Sequence, residues 1–155
     1  MPVPNKIITV RAMTEEDYDQ VRHLWVNIKG FRIRSLDDSR EAIVKFIRRN
    51  KGISCVAVVE DKIVGSILCG HDGRQGSFYH VCVAEGFRMH GIGGQMAQYC
   101  EDALEAEGIN KISLIAFKKN PLGNAFWSKL GWLYREDVNC YDYILNDCNT
   151  VKPVL

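Results

Sequence analysis

The sequence of 155 residues has almost no excess of charge. Its 20 lysine and arginine residues are balanced by 19 aspartate and glutamate residues, which leaves a net charge of +1. Proteins whose main partner is nucleic acid or an anionic membrane usually carry a strong basic excess, so neither partner is expected. No apolar run reaches the roughly 20 residues of a membrane-spanning helix. The N-terminus also lacks the apolar core of a signal peptide.

The sequence also lacks the cysteine and histidine spacings that hold metals. None of the six cysteines forms a Cys-x-x-Cys pair, which argues against a zinc ribbon or a thioredoxin-type site. Cys55, Cys69 and Cys82 lie in apolar strand-like runs, and Cys100 lies on the apolar face of a predicted helix, where small buried side chains belong. The four histidines show no ligand spacing on one element. We therefore expect a reduced, cytoplasmic protein without a metal.

What the sequence does contain is a regular succession of strand-like and helix-like segments. Its length and its hydrophobic content of 46% favour one globular domain over residues 1–155. Apolar spacing predicts the order β-α-α-β-β-β-α-β-α-β, with one or two closing strands within residues 132–145. Hairpins followed by a strand–helix–strand crossover predict an α/β fold, with a mixed sheet and helices on its faces.

Capping and turn residues predict several local boundaries. Thr14-Glu15-Glu16-Asp17 resembles a capping box before the first helix, and Asp37-Asp38-Ser39 suits the start of the second helix. Residues 60–62 predict a hairpin turn. Further along the chain, we expect a strand over residues 111–117 and a helix over residues 121–130.

The most informative stretch is Arg88-Met89-His90-Gly91-Ile92-Gly93-Gly94. It follows a strand-like run at residues 78–83 and opens a helical pattern, so that several backbone N–H groups surround one point, as phosphate binding requires. A Walker A loop is excluded because no Gly-Lys-Ser/Thr is present. Met96 stands where a dinucleotide fingerprint needs its third glycine. The alternative is a plain helix N-terminus in which the glycines only allow a tight turn.

Together with a second motif, this loop resembles the GNAT family of acyl-CoA N-acyltransferases. Arg88-x-x-Gly91-x-Gly93 matches the family's pyrophosphate loop, Gln/Arg-x-x-Gly-x-Gly/Ala. The second signature is an Asn after a strand and a helix ending in aromatic-x-x-Leu-Gly-aromatic, here Asn120 and the run from Trp127 to Trp132. The resemblance covers nearly the whole chain. The turn at residues 70–74, followed by Tyr79, is most similar to small bacterial members, many without a known substrate.

The resemblance implies acetyl-CoA as the co-substrate. It assigns the CoA pyrophosphate to the backbone amides of Met89, His90, Gly91, Ile92, Gly93 and Gly94. It assigns the pantetheine arm, which pairs like an added strand, to Val81, Cys82 and Val83. An amide in this stretch also polarises the thioester carbonyl. Asn120 and Trp127 belong to the part of the signature near the pantetheine. Arg88 has two open roles, since its side chain could neutralise phosphate or cap the loop.

The acid and the nucleophile are open. Amide formation from a thioester needs a neutral amine, a stabilised oxyanion and a proton for the thiolate. The family's usual route is direct attack in a ternary complex, and a nucleophilic Cys82 is the competing hypothesis. Many members carry a tyrosine seven residues after the signature Asn, but this chain has Trp127, whose N–H is no practical acid. Tyr134, Tyr141 and Tyr143 are either substitutes or ordinary strand aromatics.

The general base is equally open. The positions where the family often places a glutamate or a histidine correspond to Ser77 and Tyr79, and neither is a ready base, although Tyr79 stays a candidate catalytic residue. His80 is of the residue type suited to proton transfer near neutral pH. Strict alternation puts His80 on the opposite face from Tyr79, unless a bulge intervenes. His80 is therefore either a core histidine or the base, and a water chain to solvent is the other route for deprotonation.

The acceptor is expected to be a primary amine of a small or amino-acid-like molecule. His71, Asp72 and Arg74 either line its pocket, with Asp72 attracting an ammonium or Arg74 a carboxylate, or form a turn held by Asp72. The predicted activity is an acetyl-CoA-dependent N-acetyltransferase. The alternatives are an N-terminal acetyltransferase of proteins or peptides and a non-catalytic CoA-binding domain. The resemblance also suggests a homodimer, because this family often pairs through exposed strands.

Overall fold

A computed structural model describes residues 6–153. The elements in chain order are β1 (Ile8–Ala12), α1 (Tyr18–Val26), β2 (Arg32–Arg34), α2 (Arg40–Arg49), β3 (Cys55–Val59), β4 (Lys62–His71), β5 (Gly76–Val83), α3 (Ile92–Ala106), β6 (Ile112–Ser113), α4 (Pro121–Lys129) and β7 (Val151–Pro153). Short 3-10 turns at Glu15–Asp17 and Glu85–Phe87 precede α1 and follow β5. Within the described range, every helix is too short or too polar to cross a membrane.

The main sheet has the strand order β1-β3-β4-β5-β6. The first four strands pair antiparallel, whereas β6 pairs parallel with β5 at only two positions, Gly76 with Ile112 and Ser77 with Ser113. The middle strand, β4, is buried along most of its length because helices cover both faces of the sheet. The mixed sheet confirms the predicted α/β fold class.

Two apolar clusters fill the two faces of the sheet. One, around the fully buried Trp25, joins α1 and α2 to the sheet, and the other, around Met96, joins α3 and α4 to its opposite face. The Trp25 indole N–H donates to the Ser66 hydroxyl of β4 at 3.0 Å, so that neither polar group is buried without a partner. The predicted burial of four cysteines is confirmed for Cys55, Cys69, Cys82 and Cys100.

The predicted capping box precedes α1. The Thr14 N–H donates to Asp17 Oδ2 at 2.8 Å, and the Arg11 guanidinium donates to both oxygens of the same carboxylate. Burial raises the pKa of Asp17, but the hydrogen bonds from Arg11 and Thr14 outweigh it and hold the pKa below its ordinary value. The predicted hairpin turn is also present, with positive φ at Glu60 and Asp61, as the twist of tight hairpins requires.

The C-terminal part of the chain departs from prediction. The prediction of closing strands within residues 132–145 is wrong, because no strand forms there, and the strand expected over residues 111–117 shrinks to Ile112–Ser113. A strand needs a neighbour for its backbone N–H and C=O groups, and in this structure the stretch does not pair with either edge of the sheet. The chain instead returns to the segment between α1 and α2. There β7 pairs with β2, a strand that apolar spacing did not predict.

Candidate active site

The C-terminal half of β5 has an open edge. On one side it pairs with β4 as far as Val83, but on the other side β6 ends at Ser113, and no other described strand replaces it. The backbone groups of residues 78–82 that point away from β4 are therefore free to pair with an extended ligand. Strand addition of this kind supplies main-chain hydrogen bonds in a regular row.

The glycine loop carries the chain from this strand edge into α3. Met89 and Gly91 have positive φ values of 68° and 77°, a backbone conformation that suits glycine and strains methionine. The Met89 side chain is 99% exposed, so its own packing does not compensate for the strain. Strain that packing does not explain is concentrated at functional sites.

The N-terminus of α3 forms a cradle of free donors. Among the described residues, no side chain caps this helix, so the N–H groups of Ile92, Gly93 and Gly94 are left to an external acceptor. The buried Ile92 side chain anchors the helix end in the core. A Cβ on Gly93 would lie 2.9 Å from Phe126 Cζ, so glycine allows α3 and α4 to approach closely. The positive end of the helix dipole adds to the attraction for an anion.

Arg88 holds the junction between strand and loop. Its Nε donates to the Val83 carbonyl at 3.0 Å, which favours the loop-capping role over a dedicated phosphate contact. A cleft of about 270 Å³ adjoins the loop at the end of α1, and Lys29, Glu85 and Arg88 supply its charged lining. This cleft therefore lies between the end of α1 and the junction of β5 with the glycine loop.

A β-bulge in β5 brings Tyr79 and His80 to the same face. The pairing with β4 slips between Ser66 and Leu68, so that two residues of β5 oppose one of β4. His80 lies at the slip with a φ of 50°. The ring of Tyr79 meets Phe46 of α2 edge-on at 6.1 Å, with half of the residue exposed. Of the two stated possibilities the bulge is the one observed, and strict alternation does not hold here because the bulge adds one residue.

His80 is enclosed and paired with a carboxylate. Its ring centroid lies 4.6 Å from that of Trp25 and 5.0 Å from that of Phe31. His80 Nε2 lies 2.6 Å from Asp38 Oδ1, and the two side chains are 19% and 6% exposed. The other Asp38 oxygen accepts the Arg34 N–H at 2.7 Å. The structure thus joins two residues that are 42 positions apart in the chain.

Asp38, which contacts His80, was assigned from the sequence only to the start of α2. The cap of α2 is Ser39 alone, whose hydroxyl accepts the Ala42 N–H at 3.2 Å. Asp38 turns away from the helix towards the sheet. The sequence did contain a signal for a further role of Asp38. Asp37 and Asp38 are adjacent acids before the start of α2, and only one residue of the run Asp37-Asp38-Ser39 is needed as the cap.

The residues of the second signature have structural roles, because they pack in the core or cap a helix. Trp127 is buried, with its ring centroid at 6.0, 4.8 and 4.9 Å from those of Phe78, Phe126 and Trp132. Asn120 caps α4, because its Oδ1 accepts the Gly123 N–H at 3.0 Å. Tyr134 is 70% exposed, and in residues 6–153 no hydrogen bond or aromatic contact joins it to the bulge. The aromatic packing of Trp127 therefore occupies the place of the expected acid.

The hairpin turn before β5 is held by its own side chains. Asp72 Oδ1 accepts the N–H groups of Gln75 and Arg74, both at 2.8 Å, and these bonds lower the pKa of Asp72. His71 Nε2 lies 2.8 Å from Glu107, just beyond the end of α3. These contacts match the interpretation of a turn held by Asp72. None of the contacts described for residues 71–74 reaches the bulge or the glycine loop, and the acceptor role stays a prediction.

Cys82 is poorly suited to nucleophilic attack. Burial raises the pKa of its thiol to about 12, and the Ser66 hydroxyl lies 3.4 Å from the sulfur. The thiolate is the reactive form of cysteine, and a buried thiol of this kind remains protonated near neutral pH. The side chain thus fits the interpretation of a small buried hydrophobe.

The fold and these features define an acyltransferase class. A mixed sheet presents an open strand edge that continues into an uncapped helix N-terminus, which fits a ligand with an extended arm and phosphates. The model of the Acetyltransferase (GNAT) family matches residues 15–132. Acetyltransferase ECA0875 of Pectobacterium atrosepticum is 30% identical over 131 residues, which are 84% of this chain and 89% of that protein. The chain belongs to the GNAT acetyltransferase family.

Solved structures of low sequence identity share the fold. Aminoglycoside N-acetyltransferase AAC(6')-Iy in complex with CoA is 17% identical with a TM-score of 0.71, covering 91% of this chain and 98% of that one. The aminoglycoside acetyltransferase meta-AAC0020 from an uncultured soil metagenomic sample, in complex with sisomicin, is 20% identical with a TM-score of 0.71 over 90% and 97%. Ard1 from Thermoplasma volcanium is 19% identical with a TM-score of 0.68 over 80% and 81%.

Proposed function

We propose that this protein transfers an acetyl group from acetyl-CoA to a primary amine of a small or amino-acid-like molecule. One observation carries the proposal. The open edge of β5 leads directly to the uncapped N-terminus of α3. The extended arm of a ligand can therefore pair with the strand edge while its pyrophosphate accepts hydrogen bonds from the helix N-terminus. The presence of CoA in the structure of AAC(6')-Iy supports the same ligand here.

In this proposal acetyl-CoA lies along β5, with its pyrophosphate at the glycine loop and its thioester at the bulge. The amides of residues 89–94 hold the pyrophosphate, and the backbone of residues 81–83 pairs with the pantetheine arm. The thioester then lies beside the bulge, where the half-exposed Tyr79 is a candidate proton donor for the leaving thiolate. Tyr134, which is 70% exposed, remains a second candidate.

The small acceptor is supported by the way in which the C-terminal segment ties down the loop between α1 and α2. The Ser35 N–H donates to the Thr150 carbonyl at 2.8 Å, and Asn149 Oδ1 accepts the N–H groups of Leu36 and Asp37. This loop lies beside the bulge, where Phe31 and Asp38 contact His80, and its tie to the C-terminal segment favours a small acceptor. The aminoglycoside acetyltransferases among the structural neighbours act on small amines, which agrees with this choice.

The test is turnover of acetyl-CoA over a panel of aminoglycosides, polyamines, amino acids and short peptides. Cys140 and Cys148 are exposed free thiols that react with thiol reagents, so the acetylated product is followed by mass spectrometry. We expect product from at least one small amine and no loss of acetyl-CoA without an acceptor. Turnover of peptides alone would make the protein an N-terminal acetyltransferase. Tight CoA binding without any turnover would make it a non-catalytic CoA-binding domain.

The same assay separates direct attack from a cysteine route. Direct attack in a ternary complex gives intersecting lines in double-reciprocal plots, whereas an acetyl-enzyme gives ping-pong kinetics. We expect intersecting lines because the Cys82 thiol is buried and protonated. Parallel lines, with acetylated protein in the intact mass spectrum before acceptor is added, would contradict this expectation.

We also propose that a second copy of the chain covers the segment at residues 133–145. Five of its apolar side chains are between 70% and 93% exposed: Leu133, Tyr134, Tyr141, Tyr143 and Leu145. The last three alternate along the chain as one face of a strand does. In the described structure, β6 is a sheet edge that such a strand could extend. A two-fold dimer makes that contact twice.

Light scattering coupled to size exclusion tests the dimer. We expect the mass of two chains for the parent protein. The double variant Tyr141→Asp and Tyr143→Asp should give the mass of one chain, because charges on this face oppose its burial. A parent protein of single-chain mass at assay concentration would refute the dimer.

A further inference from the structure

We propose that His80 and Asp38 form the proton-accepting pair of this site. His80 Nδ1 takes the proton of the acceptor ammonium, and Asp38 is the positioning residue that fixes the imidazole. The inference rests on the proposed acetyl transfer and names the base for it. The base was left open by the sequence, and neither Ser77 nor Tyr79, which occupy the family's usual positions, has a side chain suited to the task.

The hydrogen bond to Asp38 selects the useful tautomer. A carboxylate accepts, so the 2.6 Å contact places the proton of the neutral imidazole on Nε2 and leaves a lone pair on Nδ1. The carboxylate itself is held, because its second oxygen accepts the Arg34 N–H at 2.7 Å. The backbone carbonyl of Asp38 accepts the Tyr18 hydroxyl, also at 2.7 Å. The carboxylate therefore cannot swing away from the imidazole without losing its bond from the Arg34 N–H, while the Tyr18 bond holds the Asp38 main chain.

The second ring nitrogen is free to react. Within the described residues, Nδ1 of His80 has no hydrogen-bond partner, and no fully buried side-chain nitrogen or oxygen lacks one. Nδ1 must therefore have some access to solvent or ligand. The histidine–carboxylate pair at His71 differs in this respect. There Nε2 contacts Glu107 while Nδ1 accepts the Gly73 N–H at 2.9 Å, so both nitrogens are occupied.

The bulge aims the imidazole and keeps it in place. The rings of Trp25 and Phe31 form two walls, and the Ser66 hydroxyl donates to the His80 carbonyl at 3.3 Å. The φ of 50° at His80 is unfavourable for a residue with a Cβ, and such strain is typical of functional positions. His80 also directly precedes the stretch proposed to hold the pantetheine arm. The imidazole thus lies at the thioester end of the ligand.

Few charged or titratable groups surround the pair. Tyr18 of α1 reaches Asp38 through its hydroxyl, Tyr79 is adjacent in β5, and Cys82 lies two residues further along. Among the ion pairs and hydrogen bonds of residues 6–153, none brings a lysine or arginine side chain to Asp38. Within these residues, the carboxylate therefore pairs with His80 alone, and the nearby Arg40 guanidinium lies over the Tyr18 ring, 4.8 Å from its centroid.

The proposed step is balanced without any further reactant. The acceptor ammonium gives one proton to Nδ1, and the amine lone pair then forms the N–C bond at the thioester carbonyl. The C–S bond breaks, its electron pair stays on sulfur, and the thiolate takes a proton from the Tyr79 hydroxyl, which regains the proton that the attacking nitrogen loses. The imidazolium returns its proton to solvent, for which the 19% exposure of His80 leaves a path.

Two substitutions test the pair by kinetics. His80→Asn suits the positive φ, because asparagine tolerates that conformation better than most residues. We expect kcat to fall by about 10²-fold or more, as for loss of a general base, with the dissociation constant of acetyl-CoA unchanged. Asp38→Asn should lower kcat by about 10-fold or more and displace the acidic limb of the kcat/KM–pH profile. A purely structural role for Asp38 would leave that limb in place.

Two matched variants serve as controls. Asp37→Asn changes the neighbouring carboxylate, which contacts Asn149 instead, and His23→Gln changes an exposed histidine of α1. Both should keep the parent kcat and pH profile. If His80→Asn keeps kcat within about threefold of the parent, the pair is not the base, although the proposed acetyl transfer stands. If the parent protein acetylates no amine, the proposed function fails first, and the kinetic role falls with it.

Nitrogen-15 NMR of the imidazole gives a readout that needs no turnover. We expect the neutral His80 ring to carry its proton on Nε2 and to change tautomer in Asp38→Asn, where an amide can donate to Nε2. A proton on Nδ1 in the parent protein would overturn the pairing, whatever the kinetics show. An unchanged tautomer in Asp38→Asn would overturn the positioning role of Asp38.

Discussion

Gly91→Val should weaken acetyl-CoA binding by about 10²- to 10⁴-fold while the protein stays folded. Gly91 has a φ of 77°, which a β-branched side chain strongly disfavours. The loop must then rearrange, and the N–H groups of residues 92–94 no longer point toward one ligand position. A hydrogen bond to a charged group contributes about 1.5–3 kcal/mol. Loss of two such bonds gives the expected factor, since each 1.4 kcal/mol or so is tenfold in affinity.

Gly108→Val is the matched control. Gly108 has a φ of 78° beyond the other end of α3, and an added Cβ meets no atom within 4 Å at either glycine. The two variants therefore carry similar strain but lie at opposite ends of the helix. Titration calorimetry should show a loss of affinity for Gly91→Val alone. Equal weakening in both variants would mean that the loss reflects general destabilisation and not the loop.

Trp25→Ala should destabilise the protein by about 3–5 kcal/mol, the usual cost of truncating a buried aromatic residue. Trp25 is fully buried, its N–H donates to Ser66, and its ring packs against His80 and Phe31. Native domains are stable by only about 5–15 kcal/mol, so this loss is a large fraction of the total. The free energy of unfolding in urea, followed by circular dichroism, measures it.

Two further variants show which interactions account for that loss of stability. Trp25→Phe keeps most of the ring packing but removes the donor to Ser66, so we expect a smaller cost of about 1–3 kcal/mol. Leu122→Ala removes a side chain that is 76% exposed in α4 and should change stability by about 0.5 kcal/mol or less. Equal stabilities for Trp25→Ala and Leu122→Ala would contradict the role of Trp25 as the centre of its cluster.

The glycine loop was predictable because its chemistry is local. Residues 88–94 follow one strand and open one helix, so chain connectivity alone brings their amides together. A positive φ at Gly91 is also a property of a single residue. The family model matches residues 15–132, which agrees with the family resemblance inferred from this loop and from the second signature.

The pair of His80 and Asp38 was not predictable in the same way. The contact depends on the slip between β4 and β5, and a slip is a property of two strands and not of either sequence. The failed prediction of closing strands within residues 132–145 has a related cause. Strand-like alternation becomes a strand only where a neighbour accepts its backbone hydrogen bonds.

By itself, the sequence determined the mixed α/β fold and the glycine turn that opens α3 in this acetyltransferase. Both depend on apolar periodicity, caps and glycines, which act over a few residues. Only the tertiary structure decided which polar side chains meet at the bulge of β5. Asp38 and His80 lie on different elements, and the bulge that turns one toward the other forms only when the strands pair and the helices pack against them.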